Sequence, residues 1–151
     1  MKALRMFCWM MFLTGGLYPF LITAIAHFAM PRQSQGSLIV RNNKVIGSVL
    51  IGQSFQSEKY FWSRPSAVDY NPLPSGGSNL APTSAELQAQ VEKRRDYIAS
   101  KNYSVQDIPS ELLFASGSGL DPHITLKTAL YQVERVAKAR NIQKEKLTEQ
   151  I

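Results

Sequence analysis

The sequence runs to 151 residues, with 17 Lys+Arg against 11 Asp+Glu and a formal net charge of +6. That length holds one modest domain with a tail or an anchor, and excludes an enzyme built from separate cofactor and substrate domains. A single cysteine, Cys8, excludes an intrachain disulfide and a cysteine-cluster metal site, and two histidines, His27 and His123, leave little for zinc or imidazole chemistry.

After a basic tail (residues 1–5), Met6 to Met30 carries no Lys, Arg, Asp or Glu. In helix this run spans ~37 Å, more than a ~30 Å hydrocarbon core. A lone segment in lipid satisfies its backbone hydrogen bonds only as a helix, so 6–30 is predicted to be a transmembrane helix. Pro19 withdraws one of those bonds and predicts a local bend. Lys2 and Arg5 with Ala24-Ile25-Ala26 also fit a signal peptide, but the apolar run is longer than the ~7–15 residues of such a segment. An uncleaved anchor is therefore expected. Lys2, Arg5 and the amino terminus balance Arg32, Arg41 and Lys44 across it. The tight basic tail favours a cytoplasmic N-terminus with residues 31–151 extracytoplasmic.

Residues 31–36 read as a linker and 37–151 as a soluble domain. Ser37 to Gln53 holds two β-branched runs flanking Asn42-Asn43, a hairpin signal, with Gly47 as candidate bulge. Phe55 to Pro82 is loop-rich, broken by Pro65, Pro72, Pro74, Pro82, Gly76 and Gly77. Tyr60, Phe61, Trp62 and Tyr70 are expected to pin this loop to the core. Thr83 to Glu86 reads as a capping box with Thr83 at the N-cap, opening a helix to about Lys101 with Leu87, Val91 and Ile98 on one face. Lys93, Arg94 and Arg95 read as a solvated face, and no nucleic-acid partner is expected without an aromatic stacking array. Pro109 to Ala115 reads as a short helix or turn. Asp121 as N-cap and Pro122 at the first position predict a helix to about Arg140, with Leu126, Leu130, Val133 and Ala137 as its apolar stripe. Asn141 closes it left-handed, and Lys144 to Gln150 forms a last short helix. The fold class is α+β: one transmembrane helix, then a small domain with a hairpin and two to four helices.

Candidate chemistry is sparse. Ser116, Gly117, Ser118 and Gly119, followed by Asp121 and His123, do not make a nucleophile elbow, and residues so close in sequence cannot take triad geometry from one helix start. Ser75, Gly76, Gly77, Ser78 and Asn79 lack the Lys-Ser/Thr of a P-loop. Both segments read first as turns. Their amides are also candidates for cradling a phosphate. No metal cluster and no acid–base pair is expected, and residues 31–151 read as non-catalytic.

Five runs in fixed order carry a resemblance: Gly47 to Phe55, Tyr60 to Ser66, Tyr70 to Thr83 around the Ser-Gly-Gly-Ser-Asn turn, Ala115 to Ile124, and Tyr131-Gln132 with Arg135 to Arg140. Over essentially its whole length the chain resembles the C-subunit family of the bacterial Kdp potassium-transporting ATPase. The resemblance implies an accessory, single-span inner-membrane subunit of a high-affinity K⁺ uptake complex. Its partners would be a channel-like A subunit, a P-type ATPase B subunit that hydrolyses ATP, and a small F subunit. It implies a role in assembly and as a catalytic chaperone that raises the B subunit's affinity for ATP, a cofactor shared with that subunit. The alternative is docking over the channel-like subunit's ion entrance without nucleotide contact. Thr14, Gly15, Gly16, Thr23 and Ala24 offer small surfaces for close helix packing in the bilayer.

Overall fold

Backbone hydrogen bonding runs almost unbroken through the first 29 residues. The structure, a computed structural model, describes residues 1–102 and 107–151. Helix α1 (Lys2–Phe12) passes through a π-helical turn (Leu13–Leu17) into α2 (Tyr18–Ala29). The wide turn sits where Pro19 leaves a carbonyl one turn earlier without its donor, so the expected irregularity takes the form of a π-turn. None of these residues is buried. The chain forms two compact units, Met1–Leu50 and Ile51–Ile151.

The first unit ends in the predicted hairpin. A helical turn, α3 (Pro31–Ser34), occupies the linker and leads to β1 (Leu38–Arg41) and β2 (Lys44–Ser48), paired antiparallel. Asn42 and Asn43 take φ of 52° and 61°, the left-handed pair that a two-residue hairpin turn requires. Ile39 faces Gly47 and Val40 faces Val45, so the bulged residue is Ile46, beside the Gly47 expected to carry it.

The second unit opens with a long irregular segment. Helix α4 (Ala85–Asn102) follows, then a 3-10 turn (Ser110–Leu112), α5 (Leu126–Arg140) and α6 (Lys144–Thr148). Its core has two clusters. Val133, Val136, Ala137 and Leu147 join α5 to α6 with Phe61 packed against them, and Ile98, Leu112 and Leu113 gather Val91, Ile108 and Tyr131.

Four expectations are corrected here. The cap of α4 is Ser84, not Thr83: Ser84 Oγ accepts from Leu87 N at 3.4 Å, and Glu86 is bonded forward to Gln90. A turn from Ala81 O to Ser84 N, with Pro82 in its second position, places Thr83 inside the turn and Ser84 at the helix entrance. Arg94 is not part of a solvated face; it is half-buried and donates to Leu113 O at 2.8 Å. Asp121 is not the cap of α5, which starts at Thr125, whose hydroxyl accepts from Thr128 N. Finally, Leu126 and Leu130 are 60% and 42% exposed, and Thr128, Gln132 and Arg135 lie inside with Val133, Val136 and Ala137. Asn141 does close α5 at φ 59°, with Ile142 N reaching back to Ala137 O.

Candidate functional site

The irregular segment stays in place because α5 supplies the hydrogen bonds its backbone lacks. Gln132 clamps one residue from both sides: its Oε1 accepts from Trp62 N at 2.8 Å and its Nε2 donates to Trp62 O at 3.0 Å. Arg135, 1% exposed, donates to Glu58 O, Tyr60 O and Gln132 Oε1. Its guanidinium lies 3.7 Å from the Trp62 ring centroid, and Trp62 stacks on Tyr97 of α4 at 5.5 Å. Burial lowers the Arg135 pKa to about 10, against the opposing pull of Glu58 and Tyr97. As expected, Phe61 and Trp62 pin the loop, and the Tyr70 hydroxyl donates to Arg64 O; Tyr60 is exposed.

On this scaffold the two glycine-rich segments, forty residues apart in sequence, meet backbone to backbone. A Cβ on Gly77 would lie 3.2 Å from Gly117 O, and one on Gly119 would lie 2.8 Å from Gly76 O and 2.6 Å from the Val68 side chain. Gly119 also sits at φ 69°, so both space and conformation demand glycine there. Ser116 N donates to Pro65 O, while Ser116 Oγ is buried without a partner. Ser118 and Ser78 Oγ accept from amides two residues on, Leu120 N and Leu80 N. Ser75, Asn79, Gly117 and Ser118 are exposed, and Gly76, Gly77 and Ser78 are half-buried.

Beside this junction lies a cavity of 370 Å³ lined by Ser66, Gly77, Ser78, Glu86, Gln90 and Arg94, with Ala67 and Leu80. Arg94 is its cation; burial holds its pKa below the usual guanidinium value. Asp121 is not among the residues that line the cavity; its Oδ1 accepts from His123 N and faces His123 Nδ1, and its Oδ2 is 3.5 Å from Arg64 Nη1. The His123 amide, more than the ring or Arg64, holds its carboxyl below the ordinary range. No group of three metal-ligating side chains occurs among the described residues. Both glycine segments are legible in the sequence as turns; their meeting, the part of Arg94 in the cavity and the Gln132–Arg135 clamp are not. The signal for the clamp was present: Thr128, Gln132 and Arg135 recur at helical spacing among the apolar residues of one face of α5.

These features define an α+β chain whose one N-terminal helix, Lys2–Ala29, is long and apolar enough to cross a membrane. The family model described as "K+-transporting ATPase, c chain" matches residues 1–151, and the chain belongs to that family, KdpC. It is 44% identical over 140 residues to the potassium-transporting ATPase KdpC subunit of Leptospira interrogans, covering 93% of this chain and 72% of that one. It is 46% identical over 153 residues to the KdpC subunits of Escherichia coli O81 and Escherichia fergusonii, covering 99% of this chain and 80% of each.

Proposed function

We propose that this chain is the non-catalytic accessory subunit of an ATP-driven potassium uptake complex in the bacterial inner membrane. It joins the channel-like A subunit, the ATP-hydrolysing B subunit and the small F subunit through its anchor, and docks its globular unit over the ion entrance. The observation that carries this reading is a 28-residue apolar helix with no buried residue of its own, which suits a lipid surrounding and leaves its sides open to partner helices. Within that helix Thr14 and Thr23 turn their hydroxyls onto Met10 O and Pro19 O, so neither demands a polar partner. A Cβ on Gly15 would meet nothing of this chain within 4 Å. With Gly16 and Ala24 these residues leave small surfaces that a neighbouring helix can approach. Replacing Gly15→Leu and Gly16→Leu together should reduce recovery of the other subunits with this chain at least several-fold; undiminished co-purification would refute the packing surface.

A second reading, the catalytic chaperone that raises the B subunit's ATP affinity, draws on the glycine junction beside the Arg94 cavity. Polar backbone and one guanidinium suit a phosphate shared with the ATPase subunit, against the opposing charge of the Glu86 carboxylate in the same cavity. It requires the globular unit to face the cytoplasm, where ATP is, whereas docking over the ion entrance requires the opposite face.

A further inference from the structure

We propose that the β1–β2 hairpin is a second membrane contact, resting in the anionic headgroup layer beside the anchor. The proposal rests on Lys2–Ala29 spanning the bilayer and adds a site to that reading.

The first observation is electrostatic. Arg41 and Lys44 stand directly opposite each other across the strands, a like-charge pair that destabilises a hairpin in isolation. Both are exposed, and neither has an ion-pair partner among the described residues. No acidic residue precedes Glu58, so the unit Met1–Leu50, with Lys2, Arg5, Arg32, Arg41 and Lys44, contains no counter-charge of its own. The remaining 12 cations lie in the second unit with all 11 acids. Any anion that relieves the pair therefore comes from outside this unit.

The second observation is apolar. Residues opposed across a ribbon share a face, and faces alternate along each strand. Val40 and Val45, each 59% exposed, therefore share one face, and Ile39, 41% exposed, lies on the other. A flat protein partner covers one face of a ribbon. An enveloping interface, with acyl chains below and phosphates above, accommodates both faces, and long Arg and Lys stems can reach phosphate from a partly immersed ribbon.

The third observation is position. The root of the ribbon is tied to the turn that ends the anchor: Ser37 N donates to Arg32 O at 2.9 Å, and Ser48 Oγ to Gly36 O at 2.6 Å. Four residues of strand extend ~13 Å from that root, about twice the ~5–8 Å headgroup layer of one leaflet, so the ribbon stays in that layer only when it lies tilted along the surface. A two-stranded ribbon is marginal alone, so the lipid surface also supplies part of its stability.

The test uses the full-length chain with Cys8→Ser and one fluorophore-labelled cysteine, Val40→Cys. It is reconstituted in vesicles of phosphatidylglycerol with phosphatidylcholine, or of phosphatidylcholine alone. Flotation reports the anchor, and quenching by doxyl-labelled lipid reports the hairpin. We expect quenching in the anionic vesicles, weak quenching in the zwitterionic ones, and a bound-to-free ratio lowered about thirty-fold by Arg41→Gln with Lys44→Gln. Val45→Cys reads the same face from the other strand should the first site perturb folding. A chain that floats with its label unquenched in both lipids overturns the proposal, as does quenching indifferent to lipid charge and to both cations. Shielding that arises only in the assembled complex assigns the hairpin to an acidic subunit surface and also overturns it. A chain that fails to float overturns the anchor reading itself.

Discussion

Arg135 shows how much one side chain carries in a domain with so little sheet. The irregular segment presents carbonyls at Glu58, Tyr60 and the buried Trp62 that no strand or helix of its own partners, and backbone groups shielded from water without partners are costly. Arg135 and Gln132 answer them from α5, and the same guanidinium roofs Trp62. Replacing Arg135 with Met keeps the bulk but leaves Glu58 O, Tyr60 O and Gln132 Oε1 without this donor. The expected loss is roughly 2–4 kcal/mol, read by chemical denaturation, with Trp62 emission shifted as its ring loses cover. Lysine at 135 should restore only part, because one ammonium cannot span the fork of acceptors and cover the ring as a guanidinium does. Equal stability of the Met variant and the parent would show that the clamp is incidental. This residue was present in the sequence as a family-matched position, but its burial was not legible. An arginine in a helix reads as solvated unless the loop that needs its donors is known.

At the scale of elements, local signals were reliable where the chain makes its own geometry, and misled where a distant residue intervened. Asn42-Asn43 specifies the hairpin and Asn141 the end of α5 because each acts through its own backbone torsion. Asp121-Pro122 has the composition of a helix start, yet Asp121 is engaged by His123 N and Arg64, and α5 begins four residues later. The effective cap is assembled across the fold. Glu111 in the 3-10 turn accepts from Thr125 N, Thr125 Oγ1 and Thr128 Oγ1 at 2.8–3.1 Å. Those bonds, led by the Thr125 amide, lower the Glu111 pKa below 4.5. A carboxyl with a depressed folded-state pKa stabilises the fold above its unfolded value and loses that contribution as pH falls through the folded value, because the unfolded chain takes up the proton first. Glu111→Gln should therefore lower the melting temperature at neutral pH, at a cost of about 1 kcal/mol. The gap to the parent should close in acid; a gap that stays constant with pH would remove the charge from this cap. The glycine junction is the same lesson in another form. Each segment is legible as a turn, but that Gly77 meets Gly117 follows only from how α4 and α5 hold the loops.

For the whole molecule, the membrane face on which residues 31–151 lie separates the two functional readings. An apolar helix fixes that a span is possible but says little about direction when the flanking cations balance, as they do here. The short basic tail ahead of the helix favours retention of the N-terminus in the cytoplasm, because charges close to the span dominate orientation. Protease added to intact spheroplasts should then digest residues 31–151 and leave a short membrane-embedded remnant. In inverted vesicles the same residues should be protected. The opposite pattern would place the Arg94 cavity in contact with cytoplasmic ATP, remove docking over the ion entrance, and leave the chaperone reading standing. The measurement is decisive because a globular unit tethered by one span cannot exchange faces: its polar groups and 11 carboxylates would have to cross the hydrocarbon core.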